Sequence, residues 1–166
     1  MTAARVRRGG EDGAAAVEFA LLFPLFLVIV FGVINMGFGF NQKINLTQAA
    51  REASRYGATL SFDAAGGDVN DWLQKVTDVV VSAGGADLEP GRSGRYICVA
   101  HVDADGNVNS LVTGTGGPSS NAVCYDDNRT DARVQVVVRS DTVLDFVLWG
   151  GSFNLGSSSV THYEAT

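Results

Sequence analysis

The sequence predicts an α+β protein built on one long N-terminal helix. That helix crosses a membrane and continues as the spine of a small globular domain, beside a second amphipathic helix and an antiparallel sheet of about four strands. Three observations predict this. Residues 14–40 form an apolar run broken by Pro24 and Asn35, with one carboxylate, Glu18, in its first turn and a half. Val69 to Ala83 places Val69, Trp72, Leu73, Val76, Val79 and Val80 at the i, i+3, i+4, i+7 spacing of a helix with one buried face. From Arg95 onward, alternating segments are separated by turns rich in Asp, Gly and Asn. The chain therefore divides into residues 1–13, the apolar helix 14–40 and a domain over 41–166.

As a helix, residues 14–40 reach roughly 40 Å, more than the ~30 Å core of a bilayer. Arg5, Arg7 and Arg8 precede the run, whereas the first twelve positions after Phe40 offer only Lys43 and Arg51. The positive-inside bias puts the N-terminus in the cytoplasm and residues 41–166 across the membrane, in a single-pass topology. A cleaved secretory signal is the competing reading. The run is longer than an h-region, and Gly37-Phe38-Gly39-Phe40-Asn41 is a poor substitute for an Ala-x-Ala site. Pro24 removes the hydrogen bond to the Ala20 carbonyl and bends the helix.

Of the 12 Lys and Arg and 18 Asp and Glu, all but Arg5, Arg7, Arg8, Glu11, Asp12 and Glu18 lie beyond residue 40. The domain thus carries the whole formal charge of −6, which repels phosphate backbones and argues against nucleic acid as a partner. A lone carboxylate in a membrane helix costs ~2.5–3.5 kcal/mol, so Glu18 must neutralise, find a partner, snorkel or use the helix dipole.

Gly13-Ala14-Ala15-Ala16-Val17-Glu18-Phe19 resembles the processing site of type IV prepilins: Gly, four residues, Glu, aromatic, then a hydrophobic helix. The resemblance implies that residues 1–13 are a cytoplasmic leader peptide. A membrane-embedded aspartyl peptidase would cut after Gly13, leaving Ala14 as the mature N-terminus and Glu18 at its fifth position. The freed amine of one subunit can then meet the Glu18 carboxylate of a neighbour, which rewards assembly and sets register. Ala16 to Met36, followed by Ala49-Ala50-Arg51-Glu52-Ala53-Ser54-Arg55-Tyr56-Gly57-Ala58, is similar to the TadE-like proteins of tight-adherence (Tad/Flp) pilus systems. The ends of the chain agree through Val134 to Val138, Trp149-Gly150-Gly151-Ser152-Phe153 and a last strand ending at Glu164. The resemblance implies a minor pilin or pseudopilin required to build an adhesive Tad/Flp pilus. It names as partners the prepilin peptidase, the inner-membrane assembly platform, other pilins (major and minor) and the membrane. Phe19 stands where tyrosine is often found, and Pro24 marks where such helices loosen on leaving lipid.

Beyond Phe40 the helix continues to Ala58, with Ile44, Ala49, Ala53 and Tyr56, or Leu46 and Ala50, along one face and Gly57 as its end signal. Ser61 to Gly67 reads as a small-residue loop. Asp68 is the N-cap of the second helix, Trp72 a core residue, and Gly84-Gly85 its stop. Arg95 to Val102 and Asn107 to Thr113 read as strands around an Asp103-Ala104-Asp105-Gly106 turn. Asp103, Asp105, Asn107 and Asn109 superficially suggest a calcium loop, but the glycine and the twelfth-position glutamate are misplaced, so no metal is expected. Gly114 to Asn121 reads as loop. Cys98 and Cys124 either pair, if their compartment is oxidising, or remain two buried thiols. Arg133 to Arg139 reads as a strand that lies centrally, because Val137 and Gln135 make its second face only partly polar. Asp141 then N-caps a short helix from Thr142 to Trp149, stopped by Gly150-Gly151, and Phe153 to Glu164 is the final strand. Phe146, Leu148 and Trp149 form an apolar cluster, either core or a subunit contact.

No catalytic set is visible. His101 and His162 stand alone on strands, no serine lies in a G-x-S-x-G elbow, and no dinucleotide fingerprint or zinc spacing occurs. The expectation is a protein that is not an enzyme and needs no cofactor. The alternative to a pilin is a permanently anchored extracytoplasmic scaffold or binding domain. An anchored enzyme would require a deep polar pocket in the domain.

Overall fold

The structure, a computed structural model, describes residues 11–114, 121–145 and 150–163. In chain order it contains α1 (Glu11–Thr59), α2 (Phe62–Ala65), α3 (Val69–Gly84), a 3-10 turn (Gly85–Asp87), β1 (Tyr96–Val102), β2 (Val108–Gly114), β3 (Arg133–Asp145) and β4 (Gly150–His162). The strands make one antiparallel sheet in the order β2-β1-β3-β4, with α1 and α3 on one face. The α+β architecture predicted from the sequence is the one observed.

A single helix of 49 residues runs unbroken through Pro24, and its two halves have opposite surroundings. Between Gly13 and Phe38 no side chain is buried. From Gly39 one stripe turns inward: Gln42, Leu46, Ala49, Ala50, Ala53, Ser54 and Gly57. Steps of three and four residues put these on one face, and their small size lets the backbone approach α3 and the sheet closely. Ile44 and Tyr56, assigned to this face from sequence, lie outside it and are exposed.

Trp72, Leu73, Val76 and Val80 of α3 meet that stripe, while Ile97 and Val99 of β1 and Val134, Val136 and Val138 of β3 close the core from the sheet side. The N-terminus of α3 is capped by Asp68, which accepts the Asn70 backbone N–H at 3.3 Å. The Trp72 indole N–H donates to the Leu60 carbonyl at 3.0 Å, so the ring is buried without stranding its donor.

Four elements differ from the sequence reading. The Ser61–Gly67 stretch holds a helical turn, Phe62–Ala65, capped by the Ser61 hydroxyl. Gly57 lies within the last turn of α1, which runs one residue past the expected Ala58, to Thr59. Thr142 to Asp145 are not helical but extend β3, pairing from Ser140↔Leu155 to Asp145↔Gly150. Gly150 and Gly151 accordingly begin β4 instead of ending a helix, and that strand finishes at His162. Pairing with a partner strand, which is non-local, overrides the local N-cap signal of Asp141. Residues 1–10, the apolar cluster Phe146, Leu148 and Trp149, most of the Gly114–Asn121 loop, and Glu164 lie outside the described residues.

Candidate functional site

Gly13, Ala14, Glu18, Phe19 and Pro24 all sit on the first turns of α1, far from the domain in sequence and clear of it in space. Helical spacing puts Ala14 and Glu18 on one face, one turn apart. Ala14 and Glu18 are exposed, and a Cβ at Gly13 would meet nothing within 4 Å. Phe19 and Phe23 stack one turn apart with ring centroids 5.3 Å apart. Further along, Val17, Leu21, Leu22, Leu25, Phe26, Ile29 and Val33 are each about half or more exposed. Asn35 donates its side-chain amide to the Phe31 carbonyl at 2.9 Å, so the polar group within this run is satisfied by the helix itself. The described helix is long and apolar enough to cross a membrane, with mean hydropathy 2.7 over its best window and none of that window buried by the domain.

The second half of α1 fixes this rod to the domain through polar contacts that sequence reasoning missed. Gln42 donates to the Ser140 hydroxyl at 3.3 Å and accepts from Thr142 Oγ1, and Lys43 Nζ donates to the Gly156 carbonyl. Higher up, the Ser54 hydroxyl meets Ser159 at 2.8 Å and accepts from Thr161 at 3.0 Å. The only signals for these in the sequence are a serine within the small-residue string and the Ser157–Ser159 run.

Cys98 and Cys124 are joined, with Cα atoms 5.7 Å apart, on the face of the sheet opposite the helices. The bond ties the segment after residue 120 across β1 and β3. Gln135 completes the seal: fully buried, it accepts the Cys124 backbone N–H at 3.1 Å and donates to the Tyr125 carbonyl at 3.2 Å and Asp127 Oδ2 at 2.9 Å. Asp127 also pairs with the buried Arg133 guanidinium at 3.0 Å. Burial alone would raise the Asp127 carboxyl; the bonds from Gln135 and the Arg129 backbone, with Arg133 beside it, outweigh that and hold it below the usual range.

At the far end of α1 a cleft of about 580 Å³ is walled by Leu60, Phe62, Asp63, Trp72, His101 and Tyr163. His101, on β1, is buried among aromatic rings. Its ring lies 4.9 Å from Phe62, 5.3 Å from Trp72 and 4.9 Å from Tyr163, and its Nδ1 has no hydrogen-bond partner. Burial lowers its pKa, with Asp103 opposing only in part. Asp103 itself is occupied in the hairpin turn, accepting the Asp105 and Asn107 backbone N–H groups at 2.9 and 2.8 Å and the Asn107 amide at 2.8 Å. Gly106, at φ +82°, completes that turn. His162 is exposed, with its Nε2 2.7 Å from Asp131 Oδ2. Among the described residues no group of three or more His, Cys, Asp or Glu is placed to hold a metal ion.

A family model described as TadE-like protein matches residues 13–55. The match begins at the glycine before the apolar run and ends within the buried stripe that seats α1 on the domain. No curated protein and no solved structure matches the chain. Over residues 13–55, the helix that joins the apolar rod to the domain, the chain is similar to the TadE-like protein family.

Proposed function

We propose that the chain is a minor pilin or pseudopilin of a Tad/Flp-type pilus, made as a precursor and processed after Gly13. The observation that carries this reading is the coincidence of the TadE-like match, residues 13–55, with a helix that is bare and apolar in one half and seated in a domain in the other. TadE-like proteins are pilin-like, and a subunit drawn from a membrane into a filament needs this division of one helix. The apolar half must be free to exchange lipid for neighbouring helices, and the other half must carry the domain along without slipping.

In this reading residues 1–13 are a cytoplasmic leader, 14–40 the membrane and assembly helix, and 41–166 the extracytoplasmic domain. The Cys98–Cys124 bond suits an oxidising compartment outside the cytoplasm. Cleavage by a prepilin peptidase gives Ala14 a free amine one turn from Glu18. In an array, that amine neutralises the carboxylate of the adjacent subunit and fixes the axial step between them. Phe19 adds an aromatic contact beside the pair, and Pro24 leaves one backbone carbonyl unpaired, a point at which the helix can yield on extraction. The inner-membrane assembly platform and the other pilins, major and minor, are the partners this mechanism requires.

Substitution of Glu18 by alanine tests the assembly role. The account expects processed protein that stays in the membrane and a marked loss of fibres. Fibres of normal number and length in the E18A strain would remove the role assigned to the carboxylate.

A further inference from the structure

Beyond Tyr96, the first residue of β1, which lies opposite Arg139, β3 and β4 continue as a two-stranded ribbon from Ser140↔Leu155 to Asp145↔Gly150. Its course along α1 is fixed by contacts. Thr161 meets Ser54, Gly156 meets Lys43, and a Cβ on Gly39 would lie 3.7 Å from Phe153 Cζ. Each β4 residue towards the ribbon end therefore descends α1 by roughly two helix residues, as the rises of ~3.3 Å and ~1.5 Å per residue require. Gly150 falls level with about Val33, alongside the bare apolar half of the helix. Counting the ~20 residues needed to cross a hydrocarbon core from Ala14 puts its outer edge at about Val33 too. The ribbon end and the edge of the oil coincide.

The exposed large apolar side chains of the domain divide between its ends, Ile44 and Phe153 where α1 leaves the domain and Tyr56 and Phe62 at the far end. The four residues that join Asp145 to Gly150 in sequence, Phe146, Val147, Leu148 and Trp149, are all apolar. Charge differs between the ends. Lys43, Arg92, Arg95 and Arg139 share this end with Asp87, Glu89, Asp141 and Asp145, while at the opposite end Asp63, Asp68, Asp71, Asp103 and Asp105 outnumber Arg55 and Lys75. An acidic pole turned away from an anionic surface and a mixed one turned towards it is the arrangement electrostatics favours.

From this geometry we infer that the β3–β4 ribbon is a second lipid contact. Residues 141–145 and 150–154 rest in the headgroup layer of the bilayer that α1 crosses, so the domain lies against the membrane instead of pivoting on its helix. The inference rests on α1 spanning the membrane, and its test separates the two. Ser152→Cys, Ile29→Cys and Asp105→Cys variants of the full chain, each with the native disulfide intact, carry a nitroxide label in vesicles of phosphatidylcholine and phosphatidylglycerol. Accessibility to oxygen is compared with accessibility to a water-soluble nickel chelate. The expected result is an oxygen-to-nickel ratio several-fold higher at Ser152 than at Asp105, with that at Ile29 higher still. A Ser152 ratio equal to that of Asp105, with Ile29 in lipid, overturns the ribbon contact and leaves the anchor. An Ile29 label in water overturns the spanning helix and the ribbon contact with it.

Discussion

Gly57 and Trp72 are packed so closely that a Cβ on the glycine would stand 3.0 Å from the indole Cζ2, and that Cβ would also stand 3.1 Å from Val134 Cγ1. The glycine is there to let α1, α3 and β3 meet, and both neighbours are fully buried with no room to retreat. Gly57→Val is therefore expected to destabilise the domain by about 1–3 kcal/mol through overpacking. Gly57→Ala gains about 1 kcal/mol of helix propensity, which offsets part of its smaller clash. Thermal melting of the detergent-solubilised chain, followed by near-UV circular dichroism, should rank wild type above G57A and G57A above G57V. A G57V protein as stable as wild type would mean that the two helices do not approach as described.

The segment 121–131 has no regular structure of its own and is held to the sheet by the Cys98–Cys124 bond and by Gln135. With a sequence separation of 26 residues, the bond limits the unfolded chain enough that replacing both cysteines by alanine should cost about 3–4 kcal/mol. Gln135→Ala leaves the Cys124 N–H and the Tyr125 carbonyl without partners inside the fold, at about 1–3 kcal/mol. It should also speed reduction of the disulfide, because the cover over it loosens. Melting curves and the rate of thiol release on adding reductant check both outcomes.

His101 is buried neutral, so its folded pKa lies below its ordinary 6.5. A group of this sign leaves stability unaffected well above 6.5 and lowers it as the pH falls through that value, because the unfolded chain binds the proton first. The loss ends only once the pH is below the depressed folded value. The melting temperature should thus begin to fall just under pH 6.5. His101→Phe, which keeps an aromatic ring among Phe62, Trp72 and Tyr163, should remove that early part of the fall. The depressed Asp127 carboxyl acts later. Its contribution is present above the ordinary carboxylate range and disappears as the pH drops through its folded value, so acid loss below that range should persist in H101F.

Much of the fold was legible because it is encoded locally. The apolar length of α1 and the spacing of Trp72, Leu73, Val76 and Val80 in α3 each specify a helix without reference to anything distant. The paired valines of β3 identified a central strand, and its place between β1 and β4 follows from the buried Gln135 face as much as from Val134, Val136 and Val138. The failures are non-local. Asp141 followed by Thr142 reads as a helix start, yet the partner strand from Gly150 to Leu155 decides the matter. Gly57 reads only as an end signal because a sequence does not show which ring will press against it. The burial of His101 is not legible locally because the aromatic cage around it is assembled from α2, α3 and the chain after β4. The residues expected to serve processing and assembly, Gly13, Ala14, Glu18 and Phe19, fall within about two turns of one helix, as their order in the chain requires. The Gln42 and Ser54 contacts that seat that helix were not legible, because their partners lie about a hundred residues away.

The central claim, that α1 begins life with a leader and works without it, is tested most directly by the intact mass of the chain recovered from the membranes of cells that make it. The account predicts a mature N-terminus at Ala14, and unprocessed chain when Gly13 is replaced by a bulky residue. A wild-type chain that keeps residues 1–13, or one cut beyond Phe40, would contradict it.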